Sequence, residues 1–124
     1  MQPTTRAIEE FWTLANARDW TRFAALLHPG LVYEIPQTRE QARGAEAFLD
    51  VFRTWPGAWR VVPTRIVGDA RRAVSEIEFH DGAGVATGIS FFEFSDGLIC
   101  RITDFWPEPY EPPPRQSCHL RRVE

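Results

Sequence analysis

The sequence predicts an α+β domain, with helices covering one face of a curved, mainly antiparallel sheet. Three observations carry this. Apolar residues fall at helical spacing up to about residue 55, interrupted by one short β-run. From Ala58 onward the period becomes that of strands. The turn signals in that second half, Gly68-Asp69, Asp81-Gly82 and Ser95-Asp96-Gly97, join neighbouring runs by short connections, as hairpins do. A chain of 124 residues has the length for one domain with a real core.

The elements follow in order. Thr4 and Thr5 are candidate caps for a first helix beginning near Arg6, with Ala7, Ile8, Phe11, Trp12, Leu14 and Ala15 at helical spacing and Asn16 to Asp19 ending it. Asp19 or Thr21 caps a shorter helix from Trp20 to Leu27, stopped by His28-Pro29-Gly30. Leu31 to Ile35 is a short strand closed by Pro36, and residues 37–43 are polar and loop-like. Gly44 opens a third helix running to about Trp55, ended by Pro56-Gly57. Four strands follow: Ala58 to Val67, Arg71 to His80, Val85 to Phe94 and Leu98 to Trp106. Five of the ten prolines lie at or after Pro107, which predicts an extended tail over 109–124 behind a single domain over 1–108. The order is α-α-β-α-β-β-β-β, without an internal repeat.

Composition excludes several functions. All 14 basic residues are Arg, so Schiff-base and Walker-type lysine chemistry are absent. A net charge of −3 argues against nucleic acid as a partner. No run approaches a membrane span, and acids near the N-terminus are unlike a signal peptide, so the cytoplasm is the expected compartment. His28, His80, His119, Cys100 and Cys118 show no metal-ligand spacing, so no metal and no cofactor is expected. Five Trp and nine Phe are the rings with which this chain fills space.

Four stretches carry a resemblance: Ala25-Leu-Leu-His-Pro-Gly-Leu-Val-Tyr33, Arg43-Gly44, Phe91-Phe-Glu-Phe-Ser-Asp-Gly-Leu-Ile99 and Ile102-Thr-Asp-Phe-Trp-Pro107. In their order and spacing, over about residues 4–108, the chain resembles the nuclear transport factor 2-like superfamily, and within it the SnoaL-like polyketide cyclase group. The resemblance implies a cone-shaped α+β barrel: three helices packed on the sheet, a deep apolar pocket, and often a homodimer through the outer sheet face. The fold hosts isomerases, cyclases, epoxide hydrolases, dehydratases and non-catalytic binders, so function has to come from the site.

Strand alternation assigns side chains to such a pocket. In the last strand Arg101 and Thr103 share the wet face, which turns Cys100, Ile102, Asp104 and Trp106 inward. Asp104 then stands between apolar neighbours, where desolvation raises its pKa toward the range useful for proton transfer. The resembled cyclases carry their acid–base aspartate in a late strand of this sheet, which Asp104 matches. Ser90, Phe92 and Phe94 face inward on the preceding strand. On the strand before that, Ala73, Ser75, Ile77 and Phe79 take the inner face. Glu76 is then either a solvated acid or, at the pocket rim, a carboxylate partner of Asp104. Leu31, Tyr33 and Ile35 share an inner face, with Tyr33 either a hydroxyl donor to the substrate or a satisfied core ring. Phe11, Trp12 and Ala15 of the first helix, with Phe52, Trp55 and Trp59, either line the pocket or fill the core, while Phe23 and Phe48 are expected in the core. Ketosteroid isomerases of the superfamily place their base before the proline after this first strand. Here that position is Ile35.

The expected site is therefore Asp104, Tyr33 and Glu76 as catalytic residues. Trp12, Phe52, Trp59, Ser90, Phe92, Ile102 and Trp106 would contact the ligand. Gln37, Arg39, Glu40 and Arg43 form a polar loop at the mouth, where Arg43 either grips a carboxylate or makes an ordinary ion pair. Two functions stay open: a cofactor-free acid–base catalyst on a small, mostly apolar molecule, or a non-catalytic binding or dimeric scaffold protein.

Overall fold

A computed structural model describes residues 2–123. Its elements are α1 (Pro3–Ala17), α2 (Trp20–Ala24), β1 (Leu27–Ile35), β2 (Glu40–Arg43), α3 (Ala45–Arg53), β3 (Arg60–Gly68), β4 (Arg72–His80), β5 (Val85–Ser95) and β6 (Leu98–Phe105). The strands form one curved, unclosed sheet in the order β2-β1-β6-β5-β4-β3. The β1–β6 pair is parallel and every other pair is antiparallel. No helix among the described residues is long and apolar enough to cross a membrane. Beyond Phe105 the described residues form neither helix nor strand.

The expected fold class is observed, with local corrections. The polar stretch 37–43, expected as loop, contains β2, a sixth strand beyond the five that the sequence predicts. Glu-Gln-Ala-Arg offers neither alternation nor β-branched residues, so only pairing with β1 makes it a strand. Arg39 takes a left-handed φ of 62° in the connecting turn. α1 starts earlier than the threonines suggested. Pro3 occupies its first turn and Gln2 its cap position. Thr4 instead donates to the Asp69 carbonyl at 2.6 Å, tying the helix to the β3–β4 turn. α2 stops at Ala24, and β1 begins at Leu27, opposite Ile99. The pairing is irregular between Leu27 and Val32, where Pro29 has no N–H to give.

A bulge in β6 overturns one face assignment. Glu93 pairs with Arg101 and Phe94 with Ile99, which leaves Cys100 as the extra residue. Ile99 is therefore fully buried, and Cys100, expected inside, is only half-buried.

The helices lie against the inner face of the sheet, and the aromatic rings fill the space between. Phe11 is the hub: its ring centroid lies 4.7 Å from Phe23, 4.8 Å from Trp12 and 5.2 Å from Phe92. Phe23 and Phe48 are fully buried, as expected. Side-chain amides complete the sheet where strands run out of partners. Asn16 donates to the carbonyl of Val61 and accepts its N–H, both at 2.8 Å, on the open edge of β3. Arg18, left-handed at the end of α1, donates to the Trp59 carbonyl and lies 3.9 Å from the Trp59 ring centroid.

Candidate functional site

Tyr33 on β1 and Asp104 on β6 meet because their strands are parallel neighbours, with Tyr33 in register with Ile102. Tyr33 lies on the inner face beside Leu31 and Ile35, and Asp104 beside Ile102. The Tyr33 hydroxyl donates to Asp104 Oδ2 at 2.6 Å. Asp104 Oδ1 is buried and has no hydrogen-bond partner among the described residues.

Burial pushes the Asp104 carboxyl up to about 6, with the hydroxyls of Ser90 and Tyr33 offsetting part of the rise. Ser90 stands directly across the sheet from Asp104. Its hydroxyl is close enough to hold the carboxyl's pKa down, although no hydrogen bond of good geometry reaches Oδ1. Tyr33 is driven well above the ordinary phenol range, first by burial and then by the charge and hydrogen bond of Asp104. It stays protonated and always donates. With Oδ2 occupied as an acceptor, the exchangeable proton of Asp104 belongs on Oδ1.

This carboxyl lines a cavity with Trp12, Tyr33, Phe52, Trp55, Trp59, Val61, Ile77, Phe79 and Trp106. Asp104 is the one charged residue of that lining. The cavity is narrow, about 30 Å³, room for a water or two. The Trp12 indole N–H is already committed, donating to the buried Ser75 hydroxyl at 3.1 Å. The cavity wall thus offers mainly aromatic faces, with one acid at its base.

A SnoaL-like domain model matches residues 8–102. The chain belongs to the SnoaL-like domain family. That family sits within the nuclear transport factor 2-like superfamily. The SnoaL-like chain is similar to a crystal structure from Kribbella flavida DSM 17836, provisionally described as a ketosteroid isomerase. The two are 37% identical over 98% of this chain and 90% of that one, with a TM-score of 0.91. Two more distant structures share the fold. An epoxide hydrolase from M. tuberculosis is 23% identical, covering 85% of this chain and 83% of its own, with a TM-score of 0.71. A protein from Xanthomonas campestris pv. campestris, provisionally described as a polyketide cyclase, is 20% identical, covering 85% and 90%, with a TM-score of 0.69. No protein of curated function matches the chain significantly.

The SnoaL-like chain brings together some of the expected site residues and separates others. Asp104, Tyr33, Trp12, Phe52, Trp59 and Trp106 converge on the cavity. Phe92 and Ile102 face inward but lie outside its lining, Phe92 against Phe11 in the core. Ser90 is buried next to Asp104 and also outside the lining. Glu76 is on the opposite face of β4 from Ser75 and Ile77, so it is no partner of Asp104. Its Oε1 accepts from Arg65 Nε at 2.6 Å, and that guanidinium holds the carboxyl below its usual range. Arg43 donates to Gln41 at 3.0 Å, away from the cavity lining. Trp55, open between pocket and core in the sequence, lines the cavity; Val61 was missed as a lining residue, and Ile77 and Phe79 were expected only on the inner face. The alternation of β4 already pointed to the last two.

The raised Asp104 pKa has a consequence for stability. The unfolded carboxyl titrates near 3.8 and the folded one near 6. Between those values the folded chain keeps a proton that the unfolded chain has released, so stability from this group falls as pH rises through that window. The full loss is about 3 kcal/mol. Asp104→Asn does not ionise and escapes it. Urea unfolding at pH 4, 5, 6 and 7 should therefore show the variant gaining on the native chain as pH rises. A difference that stays constant across that range contradicts the assignment.

Proposed function

We propose that this SnoaL-like protein is a cofactor-free acid–base catalyst acting on a small, neutral, mostly apolar molecule. The observation that carries this reading is the unpartnered Oδ1 of Asp104, on a buried carboxyl whose pKa is raised to about 6. A group with that pKa is populated in both protonation states near neutrality, so it can accept a proton and return it. Asp104 Oδ1 takes the proton from the substrate. Tyr33 holds Oδ2, keeping the carboxyl oriented and steadying its charged form. The aromatic walls exclude water, which strengthens the polar interactions at the base of the site.

A neutral substrate follows from the charge inventory. An anion would meet Asp104 with no cation of the lining to offset it. The reaction class that fits one acid–base group is proton transfer next to a carbonyl, in an isomerisation or cyclisation. The Kribbella flavida likeness is compatible with that class, although the position before Pro36 is Ile35 and carries no base. A panel of a 3-ketosteroid, 2-tetralone and a cyclohexenone, incubated with the protein in deuterated buffer, tests this by mass spectrometry. Enzyme-dependent deuterium uptake next to the carbonyl of at least one compound is expected. Uptake equal to the buffer control for all of them contradicts the carbonyl assignment.

A second reading, ligand binding without chemistry, is favoured by the sparse polar lining and the narrow cavity. An Asp104 that titrated near the ordinary carboxyl value would favour it over catalysis. The outer sheet face is also proposed as a homodimer seam. Phe91 is 46% exposed there, with the Phe105 ring edge-on at 5.9 Å. Phe91→Glu is expected to convert a dimer to monomer in light scattering after gel filtration. A native chain that already runs as a monomer contradicts the seam.

A further inference from the structure

One wall of the cavity is built by residues outside the acid–base pair. Gln37 follows Pro36 in the β1–β2 turn, and Trp106 lies one residue past the end of β6. Strand pairing has stopped at Trp106, yet both of its backbone polar groups are engaged. Gln37 Nε2 donates to the Trp106 carbonyl at 3.1 Å, and Gln37 Oε1 accepts the Trp106 N–H. A side-chain amide thus replaces a neighbouring strand and fixes where the indole begins.

The ring has a fitted seat. A Cβ on Gly88 would lie 2.9 Å from Trp106 Cζ3, closer than side chains tolerate, and 3.1 Å from Ile77 Cγ1, a tight contact. Gly88 is therefore the place on β5 where the indole rests on backbone. Phe79 stands at a right angle to it, with centroids 5.5 Å apart. Trp55, also on the lining, is 43% exposed and follows the end of α3. An occupant larger than a water or two has to displace part of the lining. The Trp106 side is held at backbone and ring, while Trp55 is partly free.

We propose that Gln37, Gly88 and Trp106 form the specificity-determining wall of this site, admitting flat neutral rings that carry one polar group and excluding globular molecules of similar carbon number. This rests on the reading of the cavity as a ligand site. Flatness follows from a fixed aromatic face that does not bulge outward. Neutrality and the single polar group follow from the lone Asp104 at the base.

Calorimetric titration at pH 5 with 2-naphthol and 1-adamantanol tests the wall. Each has ten carbons and one hydroxyl, but one is flat and the other globular. The native chain is expected to bind 2-naphthol at least about tenfold more tightly. Gln37→Ala, on an exposed turn, frees the Trp106 backbone but keeps the ring. Trp106→Ala removes the ring. Both are expected to gain about tenfold in affinity for 1-adamantanol. No gain in either variant overturns the proposal, as does a native chain that binds neither compound or does not prefer the flat one. A gain in Trp106→Ala alone overturns the part given to Gln37. These are binding constants, so a chain in which Asp104→Asn kept native exchange rates would defeat the catalytic reading and leave the wall standing.

Discussion

Asp104→Asn is expected to lower deuterium exchange on a responsive ketone by about 10²- to 10⁴-fold, the range for a lost acid–base group. The amide keeps the shape of the carboxyl and still accepts from Tyr33, so the packing around it survives. What disappears is an atom that can take and return a proton at neutral pH. Binding of 2-naphthol should change little by comparison, because the aromatic lining is intact. Loss of exchange with retained binding separates chemistry from collapse of the site. Native exchange rates in Asp104→Asn would remove Asp104 from the mechanism.

Phe11→Ala is expected to reduce the unfolding free energy by about 3–5 kcal/mol, read by urea denaturation. Phe11 is fully buried and lies among Trp12, Phe23, Phe48, Phe52 and Phe92. Removing its ring takes away a buried aromatic surface and leaves a void that five other rings cannot fill without leaving their own contacts. Two of those rings, Trp12 and Phe52, also line the cavity. The same substitution should therefore weaken ligand binding at temperatures where the variant remains folded. A loss under about 1 kcal/mol would mean that the core closes around the gap.

The sequence made the fold legible wherever hydrophobic period and turn chemistry agreed. α1, β4 and β5 were placed within a few residues for that reason. β2 was not legible, because four residues without alternation become a strand only by pairing with β1. The inward turn of Asp104 was legible from the Arg101–Thr103 face, since that part of β6 lies beyond the bulge. Nearer the hairpin the same alternation failed, and Ile99 rather than Cys100 turned inward, because one extra residue inverts the faces. Tyr33 and Asp104 were assigned to the same pocket, but their 2.6 Å contact depends on the parallel register of β1 and β6. The pair of hydrogen bonds between Gln37 and Trp106 spans 69 positions of chain and leaves no local pattern to read.

The central claim is that Asp104 is a buried acid poised near neutrality, and its carboxyl can be titrated directly. With ¹³C-labelled aspartate, the side-chain carbonyl resonance of Asp104, assigned by its absence in Asp104→Asn, is followed from pH 3 to pH 8. The predicted midpoint is about 6. Tyr33→Phe, which removes a bond favouring the charged form, should move it higher still. A midpoint near the ordinary carboxyl value, unmoved by Tyr33→Phe, would contradict the account.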